Sequence, residues 1–263
     1  MELYRYIAGT APLFISMPHV GLHVPAEIRE RMTPAAQDLP DTDWHVDRLY
    51  DWVQDLGIGF IAATHSRYVI DLNRPPNDAA LYDGPTTGLT PTILFDGSNL
   101  YRDGAEPDQR ERQDRLQQYW QPYHQKLTVE LSAIRQRYGY AILFDAHSIR
   151  SQVSLLFDGQ LPNFNLGTND GSSAAPEIMQ RAEAVCAAAA GYTTVVNGRF
   201  KGGYITRHYG APTTEVHAIQ LELAQRSYMD EAPPFKYRED LATELRPVLR
   251  RLLETLLEWR PDN

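Results

Sequence analysis

Two hydrophobic periodicities alternate along this chain, and that alternation restricts its fold more than any other feature. Residues 13–17, 59–63, 68–72, 140–144, 193–196 and 216–223 are short apolar runs of strand length. Between them, apolar residues recur every three or four positions. Val46, Leu49, Tyr50, Val53 and Leu56 form one such stripe, which Gly57 should stop. Leu116, Tyr119, Trp120, Tyr123, Leu127, Leu131 and Ile134 form a second, with a kink expected near Pro122. Residues 175–190 read as a third helix, and Leu241, Leu245, Val248, Leu249, Leu252, Leu253 and Leu256 make a strongly amphipathic fourth. Strands interleaved with helices predict an α/β fold in three layers, with a mixed, mostly parallel sheet flanked by helices. Residues 77–107 are rich in Gly, Pro, Asp and Asn and read as a long loop, of a kind often kept for function. No repeat or flexible linker divides the chain, so residues 1–263 read as a single domain.

The formal charge of −9, with no dense Lys/Arg cluster, argues against nucleic acid as a partner. A small anionic substrate is compatible with it, because a few arginines outweigh the global field at close range. No apolar run approaches the roughly 18 residues of a membrane span. The N-terminus lacks the basic start and apolar core of a signal peptide, so the cytoplasm is the expected compartment. The lone cysteine, Cys186, lies among alanines and reads as a buried helix position. A chain this long builds its core without a structural metal, so any metal site is expected to be catalytic. Nothing in the sequence specifies an oligomeric state.

Four stretches carry chemistry. His19 follows the run 13–17, and His147 follows the run 140–144. Ligands of open α/β sheets bind outside the carboxyl ends of strands, where two such imidazoles can converge. A catalytic zinc site needs three protein ligands, and Asp41, Asp43 and Asp47 supply acidic candidates at a helix start. A histidine that serves only packing is the competing reading of each one alone. Arg67 and Arg74 flank the run 68–72, and Asn73 precedes Arg74. A guanidinium there can grip a substrate carboxylate in a bidentate fork, or form a structural ion pair. The glycine-rich stretch 197–210, which contains Arg207, reads as a lid or a surface loop. Glu222 lies near the end of the run 216–223, where it is either a buried general base or a solvated carboxylate on the alternate face.

Taken together, the Pro18-His19-Val20-Gly21 motif and the stretches 41–50, 66–76, 145–150, 197–210 and 217–228 resemble the bacterial N-formylglutamate amidohydrolase family over nearly the whole chain. That family is distantly similar to zinc carboxypeptidases and aspartoacylase-type deacylases. The resemblance implies a zinc carboxypeptidase-like fold and one Zn²⁺ per chain. It implies zinc-dependent hydrolysis of N-formyl-L-glutamate to formate and L-glutamate, the last step of a histidine-degradation route. It implies His19 and His147 as zinc ligands and Glu222 as base. Arg74 would hold the substrate carboxylates, aided by Asn73 and by Arg67 or Arg207. The distant relatives take a Glu ligand three residues after the first His, where this chain has Leu22. The role then passes to Asp43 or Asp47, and Asp43, at the helix start, is preferred; His23 is a lesser candidate. The competing functions are a deacylase or carboxypeptidase acting on another acyl amino acid, and a binding module that keeps the fold without the chemistry.

Overall fold

The computed structural model describes residues 1–81 and 86–261. Its strands are β1 (Tyr4–Ile7), β2 (Leu13–Met17), β3 (Gly59–Ala63), β4 (Ala141–Ile149), β5 (Phe164–Gly167), β6 (Thr194–Val196) and β7 (Val216–Ala224). They form one sheet in the order β1-β3-β2-β4-β7-β5-β6. The central strands β3, β2, β4 and β7 run parallel; β1 and β5 pair antiparallel at the flanks, and β6 is parallel to β5. The helices are α1 (Ala26–Arg29), α2 (Pro34–Gln37), α3 (Val46–Leu49), α4 (Gln109–Arg115), α5 (Gln121–Tyr138), α6 (Pro176–Ala187), α7 (Tyr204–Tyr209) and α8 (Glu239–Leu257).

Strand alternation sorts the core into two faces. Leu13, Ile15 and Met17 of β2, Ile142 and Phe144 of β4, and Ile219, Leu221 and Leu223 of β7 pack with α3, α6 and α8. Phe14, Ala141, Leu143 and Ala218 turn the other way, onto α5 and α7. The sheet therefore lies between two helical layers. On α8, Leu245, Leu249, Leu252, Leu253 and Leu256 are all buried, each contributing about 1.5–3 kcal/mol of transfer free energy. Among the described residues, no helix is long and apolar enough to cross a membrane.

Several elements depart from the sequence reading. The stripe at Val46–Leu56 splits into α3 and a 3₁₀ turn (Val53–Leu56), which ends at Gly57 with φ +70°, a conformation suited to glycine. Residues 68–72 are not a strand. Ser66 turns the chain by accepting the Val69 N–H at its carbonyl and the Tyr68 N–H at its hydroxyl. Strands β1 and β5 escaped the apolar-run criterion: β1 is an edge strand with alternate residues exposed, and β5 has only four residues. Near Pro122 the helix carries a π-helical turn, Leu116–Trp120, which ends two residues before the proline. A missing N–H and a widened turn occur together there. Of the long loop, residues 82–85 lie outside the described residues.

Candidate active site and metal centre

The site forms where the α5/α7 face of the sheet turns from apolar to polar at the carboxyl ends of its strands. The alternation that sends Leu143 and Ala218 to that face also sends Asp145 and His147 of β4, and Gln220 and Glu222 of β7. Register completes the pairing, since Asp145 lies opposite Gln220 and His147 opposite Glu222. His147, expected just beyond its strand, is inside it, because β4 continues to Ile149.

His19 follows β2, and its carbonyl accepts the Asp43 N–H at 3.1 Å, so the backbone ties these two residues together. The Asp43 carboxylate lies 3.0 Å from His147 Nδ1 and 3.8 Å from His19 Nδ1. Ligand atoms of His19, Asp43 and His147 all lie within 4.8 Å of one another, and all three residues are buried. The outer nitrogen of each ring meets another buried carboxylate: His19 Nε2 lies 2.7 Å from Asp71 and His147 Nε2 lies 3.1 Å from Asp145. Carboxylates at the outer nitrogens orient metal-binding imidazoles and make them more basic. Two imidazoles, one carboxylate and these outer partners fit a divalent metal ion such as zinc. The other candidates lie elsewhere. Asp47 pairs with Arg5 at the surface, Leu22 is exposed, and the His23 ring packs on His65. Asp41 accepts from the Tyr68 hydroxyl and the Phe95 N–H, which anchors the loop that carries Phe95.

Electrostatics follow from burial. Burial pushes the Glu222 carboxyl up to about 8; His147 and Arg67 oppose the rise, while Asp43 and Asp145 add to it. A carboxyl so held exchanges a proton near neutrality. Burial also raises Asp71, yet Arg67 at 2.6 Å and His19 together hold it well below the usual carboxylate range. Burial alone would depress the His147 imidazole, but Asp145 and Asp43 keep it well above its ordinary value.

A cavity of about 70 Å³ opens onto this cluster. His19, His147 and Glu222 form part of its lining, Phe95, Leu156 and Phe200 give it apolar walls, and Arg67, Arg74 and Arg199 bring guanidinium groups to it. Arg67 is bound to Asp71, lies 4.0 Å from Asp43 and covers the Phe95 ring. Asn73 is held at both ends of its amide. Its oxygen accepts the Ile205 N–H at 2.7 Å, and its nitrogen lies 2.9 Å from His147 Nε2 and 3.4 Å from Asp145. Gly203 is required beside it, since a Cβ there would meet the Asn73 amide nitrogen at 2.3 Å.

The 72–74 segment is held from outside at three successive carbonyls. Leu72 accepts from His124 Nε2 at 2.8 Å, Asn73 from the Tyr204 N–H at 3.2 Å, and Arg74 from Trp120 Nε1 at 3.0 Å. Arg207 lies on α7 and donates from Nε to the Gly202 carbonyl at 2.8 Å. It borders a separate open depression, also lined by Arg199 and Lys201, and not the cavity.

The sequence reading passed over Asp71, Asp145, Gln220 and Arg199. A signal existed for Asp145, two residues before His147 on the same strand face, and for Asp71, inside the stretch already singled out. Arg199 and Gln220 also lay inside singled-out stretches, 197–210 and 217–228, but their spacing gave neither a role.

A buried imidazole–carboxylate cluster beside Glu222, at the carboxyl ends of the strands, is a site suited to hydrolysis. The chain matches the description N-formylglutamate amidohydrolase over residues 11–229 and belongs to that family. It is 54% identical to the N-formylglutamate deformylase of Pseudomonas putida and 55% identical to that of Pseudomonas aeruginosa. Each match runs over 258 residues, 98% of this chain and 97% of the relative. The crystal structure of N-formylglutamate amidohydrolase from Ralstonia eutropha JMP134 has the same fold, with a TM-score of 0.84 at 24% identity over 97% of this chain and 98% of that one. So does the gene product Atu2144 of Agrobacterium tumefaciens, with a TM-score of 0.71 at 17% identity over 98% and 97%.

Proposed function

We propose that this chain is a zinc-dependent deformylase that hydrolyses N-formyl-L-glutamate to formate and L-glutamate. The observation that carries the reading is the buried His19, Asp43 and His147 cluster with Glu222 brought beside it by strand register. The names of the two Pseudomonas relatives supply the substrate. His19, Asp43 and His147 would hold the ion, which when bound supplies Lewis acidity toward the formyl oxygen and toward water.

The remaining roles belong to the chain's own side chains. A Glu222 carboxylate oxygen takes the proton of the attacking water and passes it to the amide nitrogen as the C–N bond breaks. Asp71 and Asp145 keep the two imidazoles turned. Arg74 grips a substrate carboxylate, while Asn73 and Arg67 hold the frame around it, and Arg207 stands near the approach. The apolar walls limit water around the reacting bond. Residues 1–263 act as one domain in this reading, supported by the single sheet and the extent of the family match. On the family resemblance, we assign the reaction to the last step of a histidine-degradation route in the cytoplasm.

The test is direct. Purified protein should carry about one zinc per chain, and it should release formate from N-formyl-L-glutamate until the metal is chelated. Full activity in metal-free protein, or no formate release by the zinc-loaded protein, would overturn the reading.

A further inference from the structure

N-formyl-L-glutamate carries two carboxylates, and a cavity that selects it needs two separate cationic groups. Of the three guanidinium groups lining the cavity, Arg67 is bound into the carboxylate cluster by Asp71 and Asp43. Arg74 and Arg199 are the other two, and they reach the cavity from opposite halves of the sheet. Arg74 follows β3, on one side of β2 and β4, whereas Arg199 follows β6, at the far edge beyond β7 and β5.

Their surroundings distinguish them. Arg74 lines the cavity and is near enough to Asp71 to help hold that carboxylate down, so it stands on the cluster side. Arg199 belongs to the rim, because it lines both the cavity and the outer depression shared with Lys201 and Arg207. Its Nε donates to the Leu156 carbonyl at 2.6 Å, which fixes the plane of the guanidinium beside the apolar walls of Leu156 and Phe200. In the substrate, the α-carboxylate is one carbon from the nitrogen whose bond breaks. The side-chain carboxylate lies two methylenes further out, and those methylenes match the apolar wall.

On the deformylase reading, we propose that Arg199 is the residue that reads the side-chain carboxylate, leaving the α-carboxylate to Arg74. A guanidinium fixed in plane suits a two-pronged contact to a carboxylate. This makes Arg199 a specificity-determining residue for acidic over neutral side chains.

The experiment compares the parent with Arg199→Gln and Arg199→Lys, all zinc-loaded, on N-formylglutamate and N-formylglutamine. Inhibition by L-glutamate and L-glutamine is measured alongside. Arg199→Gln should lower kcat/KM on N-formylglutamate on the order of 10²-fold and leave that on N-formylglutamine close to its parent value. Glutamate should then inhibit no better than glutamine. Arg199→Lys, which keeps the charge and the fold but not the fork, should fall between. An equal loss on both substrates, or an unchanged preference, overturns the role of Arg199. A parent that releases no formate from N-formylglutamate rejects the deformylase reading itself, and this proposal with it.

Discussion

His124 makes the most quantitative prediction. It lies in α5, buried, with its ring stacked on Trp120 at 3.8 Å between centroids. Its Nε2 lies 2.8 Å from the Leu72 carbonyl, which can only accept, so this nitrogen carries the proton of a neutral imidazole. Burial pushes the ring down to about 3, with His208 adding to the shift and the Leu72 carbonyl opposing it. In the unfolded chain a histidine titrates near 6.5. Between these values the unfolded state holds a proton that the folded state refuses, so stability falls as pH drops below about 6.5. At pH 4.5, two units below that value, the loss is about 3 kcal/mol, at about 1.4 kcal/mol per unit. The measurement is urea unfolding of metal-free parent and His124→Gln at pH 7 and pH 4.5. Glutamine keeps an N–H for Leu72 and removes the titration. The parent should lose about 3 kcal/mol more than the variant between the two pH values. Equal losses would show that His124 is not held neutral in the folded state.

Three further outcomes follow from the site. Glu222→Gln should keep the metal content and KM near those of the parent while lowering kcat on the order of 10²–10⁴-fold; near-parent turnover would return Glu222 to a structural role. Asp43→Ala should lose metal and activity together, whereas Asp47→Ala removes the pair with Arg5 and a bond from the Arg48 N–H, both away from the cluster, and should keep both; elemental analysis of the two variants decides, and the reverse order would displace Asp43 from the cluster. Asp71→Asn leaves His19 without its anionic partner and should weaken zinc affinity about 10–100-fold, read by competition with a chelator; an unchanged affinity would make Asp71 only the counter-ion of Arg67.

The α/β class, the mixed sheet and the helices on its faces were legible in the sequence because burial is periodic. A strand buried on both faces reads as an apolar run and an amphipathic helix as a stripe, whatever lies beside them in space. The positions of His19 and Glu222 at the polar ends of such runs were legible for the same reason. Which residues touch across the fold was not. His147 meets Asp43 across 104 positions of chain and Asn73 across 74; the pairing of β2 with β4, the tie of Asp43 to the His19 carbonyl and the bond from Ile205 to Asn73 set those meetings. Asp43 was preferred over Asp47 from its place at the helix start, but what carries it to the imidazoles is the backbone tie to the His19 carbonyl, which no local pattern shows. Reading residues 66–74 as turned rather than extended required the hydrogen bonds of Ser66, because a short apolar run is compatible with either conformation. Arg199 lay within the stretch 197–210, but a lone arginine in a glycine-rich loop has no period to assign it a role, and only the packing of that loop against Leu156 brings it to the cavity. Local periodicity is a property of the chain's own repeat and survives without neighbours. A site is a set of distances between residues remote in sequence, and only the closed sheet with its helical layers sets those distances.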